Sequence, residues 1–159
     1  MKVGECMSRD LVTVSPKEGV TVAEHLMRAK RIRHQPVVSD GTLVGIVSDR
    51  DIRRVLPSPA TSLETHELHY LLEKLQVAAV MTREVITVTP ETPIESAADL
   101  LLLHKIGALP VLDGTRLVGI ISEADVLQAF RDGGREGGSE IGMCWLADAM
   151  SGFRVSGSL

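Results

Sequence analysis

Only two of the 159 residues are cysteine, Cys6 and Cys144. Two thiols cannot build the bridged framework of a small secreted domain or a full zinc-ligand set, so the expected setting is a reducing cytoplasm. Aromatic side chains are also scarce, at one tryptophan, one tyrosine and two phenylalanines. That removes the stacking platform of a single-strand binder, and the net charge of −4 removes the basic surface that nucleic acid requires. No apolar run of about 18 residues is present, so no membrane span is expected. The opening Met1-Lys2-Val3-Gly4-Glu5 lacks the apolar stretch of a secretory signal. The slightly positive mean hydropathy, +0.14, is read instead as a generous buried surface, with room for an oligomer interface.

The signatures of catalysis are missing too. There is no GxxxxGK[ST] phosphate loop and no Ser-His-Asp or Cys-His arrangement. The histidines, His25, His34, His66, His69 and His104, show no metal-ligand spacing tied to a cleft. His66 and His69, three apart on an expected helix, read as solvated residues rather than a metal pair. The expectation is a non-enzymatic protein with no metal site and no catalytic cofactor.

What the chain does have is an internal repeat. Laying Val3 on Val77, an offset of 77 − 3 = 74, aligns residues 3–56 with 77–130 without a gap, and 17 of those 54 positions are identical. Ordinary composition would give about three or four. Self-similarity at a fixed offset marks a duplicated structural unit. The predicted organisation is a first unit over 1–56, a linker with a helix over 57–76, a second unit over 77–131, and a glycine-rich tail over 132–159.

Each unit reads as β-α-β-β-α. A short extended run, Leu11–Val14 or Val85–Val88, is closed by Pro16 or Pro90. The helix that follows has Ala23, Leu26 and Met27 at helical spacing, matched by Ala97, Leu100 and Leu101. In the second copy, Thr92-Pro93-Ile94-Glu95 reads as a capping box with proline at the first helical position. Two strands come next, with Asp40-Gly41 and Asp113-Gly114 as the hairpin turns. A last helix begins near Asp49 or Glu123. About 50 residues is marginal for an independent domain, so the two units are expected to pack sheet to sheet as one pseudo-twofold α+β module. The linker helix, about Glu64 to Gln76, carries Leu68, Leu71, Leu72 and Leu75 on one face, either to cover the module or to meet a partner. In the tail, Gly133, Gly134, Gly137 and Gly138 read as a flexible stretch, followed by Met143, Trp145 and Phe153.

One motif carries candidate chemistry: Gly45-Ile46-Val47-Ser48-Asp49-Arg50-Asp51, repeated as Gly119-Ile120-Ile121-Ser122-Glu123-Ala124-Asp125. A strand runs into a helix N-terminus, which suits an anion. Serine and aspartate three apart set a hydroxyl and a carboxylate on the first turn, where the carboxylate can accept two hydrogen bonds from a ribose diol, as an acidic residue does in dinucleotide-binding folds. The same spacing also makes a capping box that only closes a helix end. The glycine three residues before the serine stands where a ligand can approach the backbone.

The stretches "VMTREVITVTP", "HKIGALPVLD" and "LVGIISEADVL", with their first-copy partners "CMSRDLVTVSP", "KRIRHQPVVSD" and "LVGIVSDRDIRRVL", resemble the CBS domain, here in tandem as a Bateman module over about residues 1–131. A weaker likeness, through "SDRDIRRVLPSPATSLETHELHYLL", is to acetoin-utilisation accessory proteins. Those usually continue into an ACT domain, and this sequence stops where that domain would begin. The resemblance implies a regulatory module that binds adenosine-containing ligands of the AMP, ADP and ATP class between the repeats. In that reading Ser48, Asp51, Ser122 and Asp125 hold ribose. Thr13, Val14, Pro16, Pro36, Thr87, Val88, Pro90, Gly107, Ala108 and Pro110 line the adenine pocket, and Arg33 and His34 pair with phosphate. Arg28, Lys30 and Arg31 read as a solvated helix face. The implied partners are an adenine nucleotide, a second copy of the chain in a homodimer, and a regulated protein. The competing reading is a ligand-independent dimerisation scaffold in which Ser-x-x-Asp only caps.

Overall fold

The structure is a computed structural model that describes residues 1–56 and 65–136. Residues 1–127 form one compact unit containing most of both copies; a second begins at Gln128, and its described part, to Glu136, is helical. The elements run α1 (Val3–Cys6), α2 (Val20–Lys30), β1 (His34–Ser39), β2 (Thr42–Ser48), α3 (Asp49–Val55), α4 (Thr65–Lys74), α5 (Ile94–His104), β3 (Ala108–Asp113), β4 (Arg116–Ser122) and α6 (Glu123–Glu136), with a 3₁₀ turn at Val77–Ala79.

Each copy builds a two-stranded antiparallel hairpin, β1 with β2 and β3 with β4, and both carry a bulge at matching positions. The helix before each hairpin buries one stripe at helical spacing, Val20, Ala23 and Met27 in α2 and Ile94, Ala97 and Leu101 in α5. Both helices stop at a non-glycine residue in the left-handed region, Arg31 (φ 55°) and Lys105 (φ 53°). β2 and β4 approach each other, so the two hairpins meet as the pseudo-twofold reading expects. Among the described residues no helix is long and apolar enough to cross a membrane.

Four local expectations change. The first strand of each copy shrinks to one parallel bridge, Val14 to Val37 and Val88 to Val111. Val14 alone pairs, donating to the Pro36 carbonyl and accepting from the Val38 amide, while Leu11 and Val12 diverge from the hairpin. The second hairpin turns at Gly114-Thr115, one residue later than Asp113-Gly114, because Asp113 pairs with Arg116 and the positive φ falls on Gly114. Thr92 does not cap α5. Its hydroxyl accepts from the Thr89 amide (3.0 Å), which closes a turn, and the helix starts at Ile94 with Pro93 as its N-cap. α6 continues through Gly133 and Gly134 to Glu136 rather than breaking at the glycines. The linker helix is α4, with Leu71 exposed and Leu72 and Leu75 half-buried. The side chains of Leu68, His66 and His69, and residues Gly137, Gly138, Met143, Trp145 and Phe153, lie outside the described residues.

The copies exchange their leading segments. Val3 and Gly4 donate to the carbonyls of Thr92 and Pro90, and Ser8 bridges Ile120. Reciprocally, Val77 and Ala78 donate to the carbonyls of Glu18 and Pro16, and Thr82 bridges Ile46. Val77 and Met81 thereby join the first copy's core beside Val14, Val37, Val47 and Ile52.

One core position is discordant. Gln35 is fully buried and neither of its amide atoms has a hydrogen-bond partner among the described residues. Its counterpart 74 residues on is Leu109, also fully buried. An unpaired buried amide costs about 1–3 kcal/mol. Gln35→Leu is therefore expected to stabilise the fold by about 1–2 kcal/mol, read as a raised urea midpoint at unchanged slope.

Candidate functional site

The strand-to-helix corners at Ser48 and Ser122 are built alike. The Ser48 amide and hydroxyl both donate to Asp51 Oδ2, at 2.8 and 2.7 Å, and the Asp51 amide donates back to Ser48 Oγ at 3.2 Å. The second corner repeats this with Ser122 and Asp125 at 2.8, 2.7 and 3.4 Å. The capping box is thus present in both copies. It engages only one oxygen of each carboxylate, and Oδ1 of both aspartates makes no hydrogen bond among the described residues.

Each corner also faces a hollow whose opposite wall comes from the other copy. The first, about 390 Å³, sets Ser48 and Asp51 across from Val85, Ile86, Gly107 and Ala108. The second, about 570 Å³, sets Ser122 and Asp125 across from Leu11, Val12, His34 and Pro36. Both volumes fall in the range of small-molecule pockets, about 300–1,000 Å³. Arg33, His34, Gly107, Ala108 and Glu123 line both hollows, so the starts of β1 and β3 form a shared partition.

The expected site residues divide accordingly. The four serines and aspartates line the hollows, as do Arg33, His34, Pro36, Gly107 and Ala108. Thr13, Val14, Pro16, Thr87, Val88, Pro90 and Pro110 line neither. Val14 and Val88 point into the core, at 2% and 5% exposure, because each forms the parallel bridge to its hairpin. Pro110 is fully buried, and the carbonyls of Pro16 and Pro90 are taken by the exchanged leaders. The apolar walls lie two or three residues earlier, at Leu11-Val12 and Val85-Ile86, where the chain has left the bridge. Gly45 and Gly119 serve a different close approach from the one expected. Met81 and Met7, from the exchanged leaders, occupy the space beside them. Arg28 pairs with Glu24 on the helix surface, but Arg31 sits on the rim of the second hollow. Arg50, Arg54 and Lys105 join the first hollow; the two arginines lie on the exposed face of α3, where periodicity marks only solvent, and Lys105 is the left-handed residue that ends α5. No group of three or more metal-ligating side chains occurs among the described residues.

His34 stands in the partition. A Cβ on Gly107 would lie 2.7 Å from its Cε1, so any larger residue there would push the imidazole out of this place. Burial, aided by Arg33, pushes its pKa below the ordinary 6.5, and the opposing pull of Asp49, Glu123 and Asp51 does not reverse this. The ring is therefore neutral at pH 7, able to give or accept a hydrogen bond but carrying no charge. The unfolded chain takes up a proton at His34 near pH 6.5 that the folded protein refuses, so stability falls as pH drops through that value. Melting temperatures between pH 8 and 5 are expected to fall with acid, and His34→Ala, the residue of the second copy, should flatten part of that slope.

The CBS domain family model matches residues 3–58 and again 77–132. A CBS domain-containing protein of Dictyostelium discoideum is 33% identical over 127 residues, which is 79% of this chain and 88% of that one. A Vibrio cholerae protein assigned to acetoin utilization superposes with a TM-score of 0.69 at 33% identity, over 88% of this chain and 98% of that one. CBSX2 of Arabidopsis thaliana, determined with AMP, gives 0.69 at 34% identity over 84% and 98%.

Proposed function

Because the chain belongs to the CBS-domain family and carries the unit twice, we propose that it is a non-enzymatic cytoplasmic regulator that binds adenosine-containing ligands in its two inter-repeat hollows. The observation that carries this reading is the pairing in each hollow of a Ser-Asp corner from one copy with a wall from the other. Oδ1 and the remaining lone pairs of Oδ2 suit a ribose diol, and the apolar wall suits the base. A ligand so held touches both copies, and it favours whichever relative arrangement it fits better. That differential affinity is the energy passed to a regulated partner, typically about 1–3 kcal/mol. The crystallised relative bound to AMP supports the ligand class.

Calorimetric titration with AMP, ADP, ATP and 5′-methylthioadenosine tests it. Saturable heat with at least one ligand is expected, together with a rise in melting temperature. No heat and no shift with any of them would leave the scaffold reading in its place. One observation favours that second reading: α5 presents Leu102 and Leu103, each 76% exposed, as an unpaired apolar face. A homodimer formed through it is compatible with ligand binding, and sedimentation with and without ligand separates the two roles.

A further inference from the structure

The two hollows are related by the 74-residue offset, so their walls can be compared position by position. The acidic groups pair off, Asp51 with Asp125, Glu84 with Asp10 and Asp49 with Glu123, and Glu123, which lines both hollows, is a further acid of the first. The basic groups do not. Arg33 serves both hollows, and Lys105 corresponds to Arg31. The first hollow adds Arg50 and Arg54, whose counterparts are Ala124 and Gln128. Arg33, Arg50, Arg54 and Lys105 make no ion pair among the described residues, whereas of the two acids that flank Arg50 in sequence Asp49 is already held by Arg53, and one oxygen of Asp51 by Ser48. The second hollow instead carries Ala124 and Leu127 on its wall, and Leu127 is 70% exposed. A large apolar side chain left open beside a hollow gains from being covered.

Building on the adenosine reading above, we infer that the hollows take different ligands. The hollow at Asp51 holds a nucleoside di- or triphosphate, with Arg50 and Arg54 on the phosphate tail. The hollow at Asp125 holds an adenosine whose 5′ substituent is uncharged, such as a thioether, seated on Ala124 and Leu127. Guanidinium groups grip phosphate oxygens by paired charge-assisted hydrogen bonds, and a neutral tail gains nothing from them. Conversely, the second hollow sets only Arg31 and Arg33 beside its carboxylates and an apolar rim, and so offers a polyphosphate less counter-charge for the water it loses than the four basic residues of the first.

The test uses the full chain, ADP and 5′-methylthioadenosine, and two variants at exposed positions. Arg50→Ala/Arg54→Gln, which installs the second hollow's residues, is expected to weaken ADP by about tenfold or more and leave 5′-methylthioadenosine within about twofold. Leu127→Glu is expected to do the reverse. If either variant melts more than a few degrees below the parent, the single change Arg50→Ala or Leu127→Gln replaces it. Equal effects on both ligands, or no effect of the arginine variant on ADP, overturn the division of labour while leaving adenosine binding intact. Failure of the unaltered protein to bind either probe overturns the adenosine reading itself.

Discussion

Alanine in place of Gly119 or Gly45 is expected to cost about 3 kcal/mol of folding stability, at the upper end of what overpacking costs. A Cβ at 119 would sit 2.5 Å from Met7 Sδ and 3.1 Å from the Ser8 carbonyl oxygen; at 45 it would sit 2.7 Å from Met81 Sδ and 2.9 Å from the Thr82 carbonyl oxygen. A methionine side chain can move, but these two are nearly buried, at 8% and 9% exposure. The carbonyls cannot retreat without stretching the reciprocal bonds of Ser8 to Ile120 and Thr82 to Ile46, all 2.9–3.0 Å. Domains of this size are stable by only about 5–15 kcal/mol, so one such substitution removes a large share. Urea titration gives the measurement. Gly114→Ala is the control: its φ of +61° carries strain, but nothing lies within 4 Å of the new Cβ, so its cost should stay near 1 kcal/mol. Trimming the neighbour, as in Gly119→Ala/Met7→Ala, should show favourable coupling between the two sites if steric conflict is the cause.

The largest effect on binding is expected from the double change Asp51→Asn/Asp125→Asn. An amide oxygen can still accept from the serine amide and hydroxyl, so the corner stays closed and stability should shift by no more than about 1 kcal/mol. What is lost is a charged acceptor for two ligand hydroxyls, and hydrogen bonds to charged groups contribute about 1.5–3 kcal/mol each. Adenosine affinity should drop about a hundredfold or more in each hollow. Each single variant should silence one class of sites and spare the other. A chain that folds as before and binds unchanged would mean that the aspartates only cap, and the ribose assignment would fall.

Much of the architecture was legible because duplication turns one weak pattern into two that corroborate each other. The 74-residue offset located both hairpins, both helices before them and both Ser-Asp corners. Contacts between copies were illegible, because nothing in a linear pattern says which copy a segment packs against. That is why Gly45 and Gly119 read as openings for a ligand when they are seats for Met81 and Met7. It is also why Val14 and Val88 read as wall residues although they are buried in the core: an apolar β-branched residue after a threonine looks the same whether it faces a hollow or the core. Arg50 and Arg54 carry no site signal in the sequence for a related reason. On an amphipathic helix a basic residue reads as solvated, and only the opposing wall of Val85 and Ile86 turns it toward a site.

The exchanged leaders say something about how such a chain can diverge. A peptide of one copy would hold half of each lock, and two such peptides related by a twofold axis would complete one another. In a pair of identical peptides every mutation lands in both pockets at once. Joined end to end, the halves keep the same mutual clasp while each becomes free to vary alone, so that an arginine at 50 can stand opposite an alanine at 124.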